Sequence, residues 1–221
     1  MMESNRILNY IKEVLVNMPT DWLNLTTHRL DIYDESKAKT QFLDQLENLY
    51  SSNTYTSDVL AELPTAYYYI RLGHPLSCLL EWGIAKSNNI DVKNVISFSS
   101  QTTPILAVLR KNLLENKNTQ ILYTNKLPDA FDSETIQKVY GYTFETKKID
   151  ANHEVSPFDG SIILVTEKEN ISAFELSSSV DFFININPKL GSILLVNGEK
   201  NEKYTSEIPV SYTHLTLPTK A

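Results

Sequence analysis

The stretch "PLSCLLEWGIAKSNNIDVKNVISFSSQTTPILAVLRKNLLENKNTQILYT", Pro75 to Thr124, passes twice from a helical pattern to a strand pattern. Pro75 suits the first turn of a helix, where its missing N–H costs little, and Leu76, Leu79, Leu80 and Ile84 then fall on one apolar face. "NVISFS" is a short strand of the fully buried type. "TTPILAVLRKNLLENK" reads as a second helix, with Pro104 early and lysines late, as the helix dipole favours. "QILYT" follows as a strand. Downstream, Asp132 is placed to cap "SETIQKVYGY", with Glu134 in its first turn, and "YTFETKKI", "SIILVTE" and "GSILLVNG" supply three more strands. Strands separated by helix-length segments predict an α/β domain with a mostly parallel sheet and helices on both faces.

Upstream the pattern changes. Residues 1–62 lack strand alternation and predict a helical N-terminal arm. "RILNYIKEVL" aligns Ile7, Leu8, Ile11, Val14 and Leu15, and "QFLDQLENLY" aligns Phe42, Leu43, Leu46 and Tyr50. The polar "NLTTHRLDIYDES" between them is irregular. At the other end, "VSYTHLTLPT", Val210 to Thr219, resembles the translated end of a sequencing-library adapter. Residues 209–221 are therefore set aside as a non-native tail, as fusion scars are. The expected organisation is an arm over 1–62 and an α/β domain over 63–208, with the natural chain continuing past Ile208.

The 221 residues are 42% hydrophobic and 21% charged, which fits an ordinary globular protein and excludes disorder and fibres. A formal charge of -7 and a pI near 5.1 argue against a nucleic-acid partner. Cys78 is the single cysteine, so no internal disulfide is available. The N-terminus has no secretory leader pattern and no segment is long enough to span a membrane, so a cytoplasmic location is expected. The glycosylation patterns at Asn24 and Asn170 carry no meaning without secretion.

The six glycines form neither a G-x-G-x-x-G nor a Walker loop, so phosphate binding of those two kinds lacks its physical requirement. His74 and Cys78 have helical i, i+4 spacing, but two ligands do not make a metal site, and no metal is expected. His28, His153 and His214 complete no nucleophile triad. What remains is "SFSSQTTP", Ser97 to Pro104, where a strand gives way to a helix. Free backbone N–H groups and the positive dipole end meet hydroxyls there. Two readings are open: the hydroxyls cap the helix, or they form an anion site.

The residues just before this region give a resemblance. "YIRLGHPLSCLLE", Tyr69 to Glu81, is similar to the Tyr-Ser-Arg-x-x-Asn-Pro-Thr-x-x-x-Leu-Glu signature of the Cys/Met-metabolism family of pyridoxal-phosphate enzymes, with Tyr69, Arg71, Pro75, Leu80 and Glu81 matching. "FSSQTTPILAVL" resembles the family's Phe-Ser-Ser-Gly-Met-Ala-Ala-Ile segment. "VYGYTFETKKID" and "GSILLVNGEK" resemble two later stretches. The likeness runs from Tyr69 to Lys200 and implies a truncated large domain of fold type I, the aspartate-aminotransferase fold. By this resemblance Tyr69 and Arg71 would reach the cofactor phosphate of a neighbouring subunit, and Ser100, Gln101 and Thr102 would form the phosphate turn. Asn197 would face the pyridinium nitrogen.

Three departures fall on cofactor contacts. Gln101 stands in place of a glycine, Lys126 in place of a ring-stacking tyrosine with Tyr123 nearby, and Asn197 in place of an aspartate. An amide offers no charge to keep the ring protonated. The family's Schiff-base lysine comes after the native part of this chain, so no catalytic residue is assigned and no turnover is expected of the chain itself. Two functions are carried forward. One is a pyridoxal-phosphate-dependent carbon-sulfur lyase or transferase acting on a sulfur amino acid in transsulfuration-type metabolism. The other is a non-catalytic relative that keeps the fold as a partner or structural subunit, as a homo-oligomer or with a related chain.

Overall fold

The computed structural model describes residues 2–23, 40–64, 74–150, 154–169, 171, 174, 177–189, 191–198, 201 and 204. The chain divides into two compact units, Met1–Val92 and Lys93–Ala221.

The first unit is helical. It comprises α1 (Met2–Asn17), a 3-10 turn (Thr20–Leu23), α2 (Thr40–Ser51), the short α3 (Ser57–Ala61) and α4 (Pro75–Asn88). α4 packs against α1 and α2. The core joins Ile7, Tyr10 and Val14 of α1 to Phe42, Leu46 and Tyr50 of α2 and to Leu79 and Trp82 of α4. The face expected of α2 is buried in full. On α1 the buried face is turned toward Ile7, Tyr10 and Val14, leaving Leu8 49% and Leu15 44% exposed. Tyr10 explains the shift, because its ring meets Tyr50 and Trp82 at 5.1 and 5.9 Å and so draws that side of α1 inward. Leu80, expected on the inner face of α4, is likewise 45% exposed, while Cys78 and Trp82 are buried.

The second unit is built on a six-stranded sheet flanked by helices. Its elements are β1 (Val95–Phe98), α5 (Thr103–Leu114), β2 (Thr119–Tyr123), α6 (Ser133–Tyr140), β3 (Phe144–Lys148), β4 (Ser161–Thr166), β5 (Phe182–Asn187) and β6 (Gly191–Val196). The strand order is β1-β6-β5-β4-β2-β3. β6 pairs antiparallel with both β1 and β5, while β2 pairs parallel with β3 and β4, and β4 with β5. Among the described strands, five thus share one direction and β6 opposes them. The sheet is mostly parallel, as the alternation of elements predicts. β5 is the strand that this pattern does not reveal.

Alternation within the strands divides two apolar layers. Ile121, Ile163, Val165, Phe182 and Ile184 face the layer that holds Ile105, Val108 and Leu109 of α5 and Ile136 of α6. Leu122 and Ile162 face the opposite layer with Ile149 and Val180. Burial on both faces accounts for the near-continuous apolar runs of β4 and β5. Asp132 caps α6 as expected, its carboxylate accepting the Thr135 N–H at 2.7 Å, and Gly141 ends the helix in the left-handed region at φ 69°.

Candidate functional site

In an open, mostly parallel sheet the carboxyl ends of the strands are where ligands bind, because helix N-termini and loop amides converge there. At this edge β1 leads through Ser99–Thr102 into α5. The Ser100 hydroxyl oxygen accepts the backbone N–H groups of Thr102 and Thr103, both at 3.2 Å. Pro104 occupies the next position of the first turn and has no N–H to offer. The Ile105 N–H is already bonded to the Thr102 carbonyl at 3.1 Å. Thr102, the residue at the N-cap position, makes no capping bond with its own side chain, so the hydroxyl that engages the donors of this turn is that of Ser100, two residues upstream.

Neighbouring strands hold this turn in place. The Ser192 hydroxyl at the start of β6 donates to the Ser100 carbonyl at 2.6 Å. The Gln101 amide reaches the Asn187 carbonyl at the end of β5, at 3.5 Å. Gly191 has φ 99°, and a Cβ there would collide with the Phe98 carbonyl oxygen. The β5–β6 turn therefore lies directly against the turn that precedes α5.

Farther along the same edge, Asn185 of β5 is 1% exposed and fully engaged. Its carbonyl oxygen accepts from the Thr166 hydroxyl at 3.1 Å and the Lys168 N–H at 2.8 Å, and its amide donates to the Lys168 carbonyl at 3.0 Å. Among the described residues, the buried polar side chains at this edge are Thr166, Asn185 and Ser192, all uncharged. Tyr123 ends β2 here and packs partly against the sheet core. Lys126 is drawn outward to Asp129 at 2.8 Å, both largely exposed, and that contact raises the lysine's pKa.

The candidate residues are thus only partly brought together. Ser100, Gln101 and Thr102 share the turn at the carboxyl edge. Asn197 does not join them: it follows β6, whose reversed direction carries it to the amino ends of the other strands, beside the β1 residue Val95 that pairs with Leu195. There its N–H donates to the Asp181 carbonyl at 2.9 Å and its side-chain amide to the Val180 carbonyl at 3.1 Å. Asn201 closes the knot, bonding the Asn197 carbonyl and the Asp181 carboxylate. Tyr69 and Arg71 lie outside the described residues.

As a seat for pyridoxal phosphate, the described residues match in part. Hydroxyls and a helix N-terminus suit a phosphate, although Ser100 already engages the donors of that turn. For the ring they do not fit, since Asn197 is at the other edge and the buried groups at this edge are neutral and satisfied by one another.

No family model matches this sequence, and no curated protein does. Among solved structures the chain is similar to metB from Corynebacterium glutamicum, with 16% identity and a TM-score of 0.41 over 86% of this chain and 58% of that one. It is also similar to Bna3p from Saccharomyces cerevisiae, a proposed kynurenine aminotransferase, with 9% identity and a TM-score of 0.36 over 96% of this chain and 55% of that one. The chain therefore spans less than two thirds of the length of either.

Proposed function

We propose that this chain belongs to a non-catalytic relative of the pyridoxal-phosphate enzymes that keeps their fold as a partner or structural subunit. The observation that carries the reading is the state of the carboxyl edge. The Ser100 hydroxyl holds the Thr102 and Thr103 N–H groups, Gln101 reaches the Asn187 carbonyl, and Asn185 is bonded to Thr166 and to Lys168. A carbanion-stabilising cofactor needs a charged partner for its ring nitrogen, and the buried polar groups described at this edge are neutral. The second reading, a carbon-sulfur lyase or transferase for a sulfur amino acid, is favoured by one feature. The hydroxyl-bearing turn at the start of α5 offers Ser100 and Thr102 toward a phosphate ester, and the resemblance would have Tyr69 and Arg71 of a neighbouring subunit complete that site.

One experiment separates the two. The protein is produced from its natural gene, mixed with pyridoxal phosphate, reduced with borohydride and mapped by mass spectrometry. The non-catalytic reading expects no stoichiometric adduct at a single lysine and no release of sulfide or thiol from cystathionine. A single reduced pyridoxyl-lysine, formed at one per chain, would overturn it in favour of the lyase or transferase.

A further inference from the structure

Asn197–Gly198 is the one Asn-Gly dipeptide in the 221 residues. Such a pair is chemically labile, because the bare backbone of glycine lets its amide nitrogen reach the side-chain carbonyl carbon of the asparagine before it. The Gly198 nitrogen attacks Asn197 Cγ, a C–N bond forms, and the side-chain nitrogen leaves as ammonia with the proton that Gly198 gives up. Water then opens the resulting five-membered imide at one of its two C–N bonds, leaving an aspartate or an isoaspartate at position 197. No oxidant or further reactant is needed. A Cβ at Gly198 would lie 2.5 Å from the Asn94 side-chain amide, so the packing resists a bulkier residue there.

The fold holds both torsions that this reaction must turn. Asn197 extends the β5–β6 ladder past Phe182 and Val196, which sets it opposite Asp181, whose carbonyl accepts its N–H at 2.9 Å. Its side-chain amide donates to the Val180 carbonyl at 3.1 Å, which fixes the side chain. The carbonyl of the Asn197–Gly198 peptide accepts twice from Asn201, from the backbone N–H at 3.1 Å and from the side-chain amide at 3.3 Å, which fixes the peptide plane. Asn201 also donates to Asp181 Oδ1 at 3.1 Å, and Asp181 Oδ2 accepts the Ile162 N–H at 2.9 Å. The knot thus runs from the labile peptide to the start of β4. Bringing the Gly198 nitrogen onto Cγ means giving up the Val180 and Asn201 bonds.

We propose that Asn197–Gly198 is a latent deamidation site, held back by the Asn201 knot while the fold is intact and breaking that knot once it has reacted. The product carboxylate has no N–H to offer the Val180 carbonyl, so two oxygen acceptors then face each other. It also sets a second negative charge directly across the strand pair from Asp181, an arrangement that destabilises antiparallel pairing. An isoaspartate goes further, adding a backbone carbon between β6 and the residues that follow and so carrying Asn201 out of register. Because the ammonia is lost, the change runs one way.

The test incubates the protein at mildly alkaline pH, folded and in denaturant, and maps the peptide that contains Asn197 by mass spectrometry for the mass gain that replaces an amide by a carboxyl group. The folded protein is expected to react about tenfold more slowly, since ordinary hydrogen bonds must open first. Asn201→Ala is expected to raise the folded rate about fivefold and to leave the rate in denaturant alone. In reacted protein, amide exchange at Ile162 is expected to quicken while the β2 amides stay protected, which separates loss of the knot from general unfolding. The proposal is overturned if Asn197 reacts as fast folded as in denaturant, if Asn201→Ala leaves the folded rate unchanged, or if reacted protein keeps its Ile162 protection. The wild-type rates and the Ile162 exchange decide the matter even where the variant folds poorly.

Discussion

Tyr204 shows how much one side chain can join. Its hydroxyl lies 2.6 Å from Asn112 Oδ1 and 3.0 Å from the Glu115 carboxylate, while its ring packs on Phe182 and faces Lys111 and Lys117. Burial, helped by Glu115, pushes the phenol's pKa up, so it remains a donor throughout the working range. Tyr204→Phe should cost about 1–3 kcal/mol, read from the denaturant midpoint, because Asn112 and Glu115 are left without that donor. None of this is legible in the sequence, where Tyr204 and Asn112 are far apart and nothing local links them. Asp132 is the opposite case: a cap and the N–H it accepts are three residues apart, so the pattern alone announces it. The placing of Asn197 is not legible either, for a related reason. "FFININ" and "SILLVN" both end an apolar run with an amide, and nothing in either says which edge of a sheet it will reach.

Strands and helices were easier to find than to orient. Four of the five parallel strands and the three helices from Pro75 to Tyr140 follow from periodicity and punctuation. β5 escaped because the polar "SSSVD" ahead of it runs into strand without a helix-length spacer, and its apolar run is short. The direction of β6 escaped because the three-residue link between Asn187 and Gly191 is a matter of turn geometry, not of composition. Gly191 supplies that geometry: its positive φ and its place against the Phe98 carbonyl admit no side chain. Gly191→Ala should therefore destabilise the protein by about 3 kcal/mol. The loss should appear first as faster amide exchange in β1 and β6, where the ladder begins. Unchanged exchange there would mean that the turn has another conformation open to it.

Each of the two units carries its own apolar core, and the helical one adds a charged lock. Burial pushes the Glu47 carboxyl up, but hydrogen bonds from Lys86 and Trp82 outweigh it and hold the pKa below the usual carboxylate value. Lys86 and Arg6 also lie over the Tyr50 ring, 5.1 and 4.5 Å from its centroid. A carboxyl depressed in the folded state contributes above its unfolded pKa of 4.5, and that contribution is lost as pH falls through the lower folded value. Glu47→Gln should flatten the fall in denaturant midpoint between about pH 6 and about pH 3, and an acid limb as steep as wild type would refute this. The sheet has a different consequence, one that concerns the order of synthesis. Val95 pairs with Leu195 across about a hundred residues of chain, the kind of long-range closure that slows folding. A ribosome delivers β1 early and its neighbour β6 last of the described strands, so a nascent chain carries β1 without that partner until Gly191–Val196 emerges beside β5.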